Sequence, residues 1–110
     1  MDADKYQEQV FEFGIYPDKG NNWIYPCIGL AGETGEVAEL IKRIIRDKNS
    51  IIDEESRQKI KLELGDVAWY VAVLAKELGL SFNEVLEANI KKLENRRAKG
   101  TLKDNGYRDE

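Results

Sequence analysis

Apolar residues recur at intervals of three and four along most of the chain, a pattern typical of amphipathic helices. The regular stretches cover roughly residues 3–13, 27–47, 53–78 and 81–100. The segment "GIYPDKGNNWIYPC", residues 14–27, holds both prolines of the chain together with glycines and asparagines, and is therefore predicted to be a loop. The alternation typical of strands is not seen. The sequence predicts an all-α fold of four helices.

Several residues mark where these helices begin and end. Asp53, followed by two glutamates, has the character of an N-cap, and "SFNE", Ser81 to Glu84, has the spacing of a capping box. Gly79 and Gly100 each follow a periodic stretch, where a left-handed residue commonly closes a helix. The polar tail "TLKDNGYRDE" is expected to be irregular.

Length and composition restrict the classes of protein that remain. A chain of 110 residues forms a single domain, residues 1–110, because it is too short for two cores. Its formal net charge of −4, with no dominant basic run, argues against a nucleic-acid binder. The start "MDADKYQ" lacks an apolar leader, and no apolar run reaches about 18 residues, so neither a signal peptide nor a membrane span is expected. A cytoplasmic protein is the default expectation.

Histidine is absent, and Cys27 is the single cysteine. These facts exclude histidine-dependent triads, most zinc sites, Glu-x-x-His di-iron bundles and an internal disulfide. Any chemistry must therefore use carboxylates, lysine, arginine, asparagine and aromatic side chains.

Acidic residues crowd the edges of the apolar stripes when the helices are drawn at about 100° per residue. They form two pairs with i, i+3 spacing, Glu33 and Glu36 on the second helix and Glu63 and Asp66 on the third. Glu39 continues the first series but turns further from the stripe. If the helices pack together, four carboxylates could meet, and they could not all stay ionised without a cation among them. A solvated helix flank is the better explanation of one such pair, since exposed acids are normal on amphipathic helices. Two pairs, with polar and basic residues on the edge of a third helix, make the two interpretations about equal, and periodicity alone does not choose between them.

Other polar residues share these edges. Tyr70 lies one turn beyond Asp66, and the edge of the fourth helix carries Asn89, Lys92 and Arg96. Trp23 lies in the predicted loop, where an aromatic side chain is less easily explained as core.

The two acidic stretches, "GETGEVAEL" and "LELGDVAWYVAVLA", resemble the signature of the MazG-like all-α nucleoside triphosphate pyrophosphohydrolases, an E-x-x-E element followed by an E-x-x-D element. Gly35 and Gly65 precede the closing acids as they do in that family. "NIKKLENRRAKG" resembles the family's third element, so the likeness covers about residues 28–100. One departure is Gly32, which stands where the family often has a further acid.

The resemblance implies a reaction and a set of roles. Nucleoside triphosphates, with deoxynucleotides among them, would be hydrolysed to the monophosphate and pyrophosphate, as in nucleotide-pool house-cleaning. Mg²⁺, with Mn²⁺ as an alternative, would be held by four acids that also form the catalytic set with Lys92: Glu33, Glu36, Glu63 and Asp66. The substrate would be contacted at its phosphates, sugar and base by Asn89, Lys92, Arg96, Tyr70 and Trp23.

Partner subunits are also expected. The helices carry more apolar edge than one chain covers, with Trp69 and Val73 on a second face of the third helix. The four-helix MazG-like bundle should therefore be completed by dimerisation, as a homodimer or homotetramer. Two alternatives remain: a phosphoribosyl-nucleotide pyrophosphohydrolase of the same fold, and a non-catalytic nucleotide-sensing helical module.

Overall fold

The computed structural model describes residues 1–102, which form four α-helices and no strand. The helices are α1 (Ala3–Glu12), α2 (Ile24–Asp47), α3 (Glu54–Glu77) and α4 (Phe82–Lys99). The predicted all-α architecture is confirmed. Most of the predicted irregular tail lies outside the described residues. Within residues 1–102, no helix combines the length and apolar character that crossing a membrane requires.

The capping residues act as their spacing predicts. Asp53 accepts a hydrogen bond from the backbone N–H of Ser56 at 2.8 Å, and Ser81 Oγ accepts one from the N–H of Glu84 at 3.2 Å. Gly79 and Gly100 follow α3 and α4 with φ of 73°, a left-handed conformation that suits glycine.

Helix α2 begins at Ile24, three residues earlier than predicted. The sequence predicts Pro26 as a loop residue, but it lies in the first helical turn, where its missing N–H would have no partner within the helix. Asn22 Oδ1 accepts a hydrogen bond from the N–H of Tyr25 at 3.0 Å and supports this turn. The boundary was wrong because proline breaks a helix interior but not its start.

The helices pack around α3. Helix α2 packs against α3, and α1 packs against α3 and α4. Among the described residues, α4 contacts α1 and α3 but not α2. The buried apolar side chains are few, and they lie mainly on α3: Ala72, Val73 and Ala75, with Tyr16 and Ile44.

A buried glutamine on α1 joins α3 to α4. The Nε2 group of Gln7 donates to the carbonyls of Ala72 and Leu80, both at 3.0 Å. Its Oε1 accepts from the N–H of Phe82 at 3.3 Å. One side chain thus contacts α3, the following turn and the start of α4, so α1 fixes how α4 leaves α3.

The second apolar face of α3 is covered inside the chain, not kept for another subunit as the sequence suggested. Val73 is fully buried, and Trp69 Nε1 donates to the carbonyl of Val10 on α1 at 2.8 Å. Apolar side chains stay exposed on three helices, among them Ile28 on α2, Leu62 and Leu64 on α3, and Leu86, Ile90 and Leu93 on α4. The Cα radius of gyration, 16.6 Å, exceeds the roughly 13 Å of a compact domain of 100 residues. Dimerisation therefore stays a prediction, motivated by these exposed side chains.

Candidate metal centre

The packing of α2 against α3 brings three of the predicted acids together. One carboxylate oxygen from each of Glu33, Glu63 and Asp66 lies within 4.8 Å of the other two. Glu33 and Glu63 are half-buried and Asp66 is exposed, so this acidic cluster opens to solvent on the side of Asp66. Two residues on neighbouring turns of α3 thus meet one residue of α2, as their i, i+3 spacing allows.

Glu36, the fourth predicted acid, lies one turn beyond Glu33 and is exposed. It is not within the group of closely spaced oxygens, but its negative charge contributes to raising the pKa of Glu33. It therefore lies at the border of the acidic cluster.

The acidic cluster repels its own charges. Partial burial raises the pKa of Glu33, and the negative charges of Asp66 and Glu63 raise it further. A hydrogen bond between the carboxyl groups of Glu33 and Glu63 acts in the same direction, because it needs one of the two to be protonated. A bound divalent cation would remove this repulsion.

The donor set fits Mg²⁺ or Mn²⁺. Both are hard ions that favour carboxylate oxygens, and an octahedral Mg²⁺ with bonds of about 2.0–2.1 Å places its ligand oxygens roughly 3–4 Å apart. Oxygens already within 4.8 Å need only small side-chain rotations to reach that spacing. The exposed side of the cluster leaves coordination positions for water or phosphate.

Tyr70 lies directly beside the acidic cluster because α2 has a glycine opposite it. A methyl group on Gly29 would lie 2.2 Å from Cε1 of Tyr70, so the ring rests against the α2 backbone. Partial burial raises the pKa of the Tyr70 phenol, and the charges of Tyr25, Glu33 and Asp66 raise it further. The phenol therefore stays protonated and lies within electrostatic reach of two acids.

In the sequence, Tyr25 falls in the predicted loop together with Trp23, and the base contact is assigned to Trp23. Tyr25 lies four residues before Gly29 and eight before Glu33, so all three residues share one face of α2. The Tyr25 ring stacks on that of Tyr16, with centroids 4.9 Å apart and planes 7° from parallel. The i, i+4, i+8 spacing would have identified Tyr25 if α2 had been predicted to start at Ile24.

Glu77 at the end of α3 holds the loop that carries Tyr16. Its carboxylate accepts hydrogen bonds from the Tyr16 hydroxyl at 2.5 Å and from the N–H groups of Gly20 and Asn22 at 2.8 and 2.9 Å. Desolvation raises the pKa of the Glu77 carboxyl, but these three hydrogen bonds outweigh it and the pKa is lowered overall. An ionised Glu77 thus fixes the position of Tyr16 at neutral pH.

The predicted phosphate contacts lie on α4, which packs against α1 and α3 but, among the described residues, not against α2. Asn89 is exposed, Lys92 is half-buried and Arg96 is buried. Trp23, the predicted base contact, is 55% exposed at the start of α2. The roles of these four residues stay predictions.

Comparison with known proteins identifies the family. The model of the MazG nucleotide pyrophosphohydrolase domain matches residues 27–101, which include the whole acidic cluster. The chain is also 39% identical over 111 residues to the "Gene 37 protein" of Mycobacterium phage L5, covering 96% of this chain and 97% of that protein. No solved structure gives a significant match. The chain belongs to the MazG nucleotide pyrophosphohydrolase domain family, whereas α1, Tyr16 and Tyr25 lie outside the matched region.

Proposed function

We propose that this protein is a Mg²⁺-dependent enzyme that hydrolyses nucleoside triphosphates, deoxynucleotides included, to the monophosphate and pyrophosphate. The observation that carries the proposal is the convergence of Glu33, Glu63 and Asp66 in a chain of the MazG family. Such an activity would serve to clear or control a nucleotide pool. The printed name of the phage relative assigns no substrate, so the substrate class rests on the family and the site.

The acids of α2 and α3 would hold the ion. Glu33, Glu63 and Asp66 supply the closest oxygens, and Glu36 borders them one turn along α2. Bound Mg²⁺ supplies Lewis acidity that neutralises the triphosphate and makes water more nucleophilic. One of the four carboxylates would orient the attacking water toward the α-phosphorus and accept its proton.

Other residues would contact the substrate. Tyr70, beside the acidic cluster, would pack on the sugar, and Asn89, Lys92 and Arg96 would stabilise the charge of the phosphates. Among residues 1–102, α4 does not contact α2, so that second role would be served by an arrangement that brings α4 close to Glu33, such as a dimer in which helices of two chains pack together.

The proposal is tested by measuring pyrophosphate release from a panel of ribo- and deoxynucleoside triphosphates and a phosphoribosyl nucleotide, with Mg²⁺, with Mn²⁺ and without metal. We expect metal-dependent release from the triphosphates, abolished in Glu36→Gln and Asp66→Asn while the helical circular dichroism is retained. Near-normal turnover in Asp66→Asn would contradict the metal site. Release from the phosphoribosyl nucleotide alone, or binding without turnover, would favour one of the two alternative functions.

Glu39→Gln is the matched control for these variants. Glu39 lies on the same helix as Glu36, but its carboxylate pairs with Lys42 at 2.8 Å instead of joining the acidic cluster. It should keep wild-type turnover, which separates loss of the site from a general effect of lost negative charge.

A further inference from the structure

Three residues on one face of α2 form a row that begins at the acidic cluster. Glu33, Gly29 and Tyr25 are four residues apart, and eight residues of helix span about 12 Å. The ring of Tyr70 rests on the middle of this row at Gly29. The row therefore runs from carboxylates to one aromatic ring and then to another, the order in which a nucleotide presents its phosphates, sugar and base.

The ring of Tyr25 is held in place on one side and accessible on the other. Its partner in the parallel stack, Tyr16, is only 9% exposed and is bound through its hydroxyl to Glu77, whereas Tyr25 is 42% exposed. Turning the Tyr25 ring would break the stack and expose Tyr16. Such a ring loses little conformational freedom when a ligand binds to it.

Tyr25, not Trp23, is the aromatic residue on the face of α2 that carries Glu33. Trp23 precedes Tyr25 by two residues, which is about 200° around a helix, and its backbone is already in the helical region. The two side chains therefore leave the start of α2 in nearly opposite directions.

We infer that Tyr25 is a substrate-binding residue whose exposed face stacks on the base of a nucleotide that has its triphosphate at the acidic cluster. This inference rests on the proposed function, because the acidic cluster must bind the triphosphate. Tyr16 and Glu77 are positioning residues that hold the Tyr25 ring. Every base has a π face, so stacking of this kind tolerates all bases and favours the larger purines.

The test compares two ligands that share the triphosphate but not the base. Binding of an α,β-methylene deoxynucleoside triphosphate and of inorganic tripolyphosphate is measured by calorimetry in the presence of Mg²⁺. In Tyr25→Ala, the Kd of the nucleotide should rise about 5- to 100-fold, the range that base–aromatic stacking supports. The Kd of tripolyphosphate should not change.

Three further variants distinguish the loss of base stacking from a general effect on the structure. Tyr25→Phe keeps the ring and should retain nucleotide affinity. Tyr16→Phe removes the hydroxyl bound by Glu77. It should raise the Kd of the nucleotide but not that of tripolyphosphate, and by less than Tyr25→Ala does. Phe13→Ala removes a 75% exposed aromatic residue of the preceding segment and should leave both affinities unchanged.

The outcomes also separate this inference from the proposed function. The stacking role would be overturned if Tyr25→Ala weakened the binding of both ligands equally or of neither. It would also be overturned if the wild type failed to bind the nucleotide. Selective loss of nucleotide affinity in a protein that releases no pyrophosphate would retain the stacking role and refute the catalytic proposal.

Discussion

The ring of Tyr70 lies against the backbone of Gly29, so closely that a methyl group there would be 2.2 Å from the ring carbon Cε1. Gly29 is one turn before Glu33 on α2. The missing side chain at this position is what allows an aromatic ring from α3 to lie beside the carboxylates. A local feature of α2 thus determines the surface that a substrate would meet next to the acidic cluster.

Gly29→Ala should displace the Tyr70 ring and destabilise the protein. Overpacking of this kind typically costs about 1–3 kcal/mol of the free energy of unfolding, which urea denaturation measures. If hydrolysis of nucleotides is established, kcat/KM should fall as well, because Tyr70 moves relative to the acids.

Gly32→Ala is the matched control for this change. It places the same methyl group on the same helix, where no described atom outside the local backbone lies within 4 Å. Since alanine is favoured over glycine in a helix interior, it should stabilise the protein by about 0.5–1 kcal/mol. Equal destabilisation by the two variants would show that contact with Tyr70 is not the cause.

Glu33→Gln should raise the melting temperature of the metal-free protein at pH 7. The folded-state pKa of Glu33 lies above its ordinary value of 4.5, because partial burial and then the neighbouring carboxylates disfavour its charge, so both oppose folding once the group is ionised. The penalty is absent below pH 4.5, grows as the pH rises through the folded pKa, and is complete above it. Thermal scans from pH 4 to pH 7 should therefore show a gain of roughly 2–5 °C at pH 7 that vanishes toward pH 4.

Glu39→Gln, the same substitution six residues further along α2, should not raise the melting temperature at pH 7. The side-chain hydrogen bond and charge of Lys42 lower the pKa of Glu39, so its ionised form stabilises the folded state. Glu39→Gln should thus leave the melting temperature at pH 7 unchanged or lower. Added Mg²⁺ should stabilise the wild type more than Glu33→Gln, because an ion that binds only the folded state shifts the unfolding equilibrium.

The sequence was sufficient to predict features that depend on neighbours within one helix. Capping by Asp53 and Ser81 depends on a bond to a residue three positions on, and the acid pairs depend on the helical repeat. The start of α2 was missed because Pro26 was interpreted as a helix breaker. That error also moved Tyr25 into a loop and concealed its alignment with Glu33.

Contacts between distant segments could not be inferred from periodicity. Trp69 and Val73 are visibly apolar in the sequence. A helix wheel does not show whether a neighbouring subunit or α1 covers them, and in the structure Trp69 bonds to α1 and Val73 is buried within the chain. The stack of Tyr16 on Tyr25 requires a turn of the loop that is fixed by Glu77, fifty-two residues beyond Tyr25. These features come from tertiary packing.

Gln7→Ala should be among the more destabilising single changes in α1. It removes three hydrogen bonds of a side chain that is 5% exposed and leaves the carbonyls of Ala72 and Leu80 without that donor. Each buried polar group left unsatisfied costs about 1–3 kcal/mol, so a total loss of roughly 2–4 kcal/mol is expected in urea denaturation. Gln9→Ala, on the exposed side of α1, should change stability little. Similar values for the two variants would show that Gln7 does not fix the junction of α3 and α4.

The protein should sediment as a dimer or larger assembly at micromolar concentration, because α4 leaves Leu86, Ile90 and Leu93 exposed on one face. Ile90→Lys should shift it toward the 12.6 kDa monomer while retaining helical circular dichroism. Ala88→Lys puts the same charge on the opposite face of α4 and should not change the assembly. A wild-type protein that sediments only at 12.6 kDa would contradict the prediction.

The protein should hydrolyse deoxynucleoside triphosphates in preference to ribonucleotides, and Tyr70 should be the cause. Its ring lies beside the acidic cluster, where a triphosphate held by Glu33 and Asp66 would place its sugar. A ring packed against C2′ leaves no room to solvate a hydroxyl group. Rejection of an added hydroxyl by apolar contact alone reaches only about 100-fold, so the preference should be graded.

The ratio of kcat/KM for dCTP and CTP, and for dATP and ATP, measures this preference. Tyr70→Ala should narrow both ratios, mainly by lowering kcat/KM for the deoxynucleotides, because the ring that packs on their sugar is lost. Tyr70→Phe keeps the ring and should keep the ratios. Equal hydrolysis of both members of each pair by the wild type would mean that Tyr70 does not discriminate the sugar, and its position against Gly29 would then serve only the packing of α2 on α3.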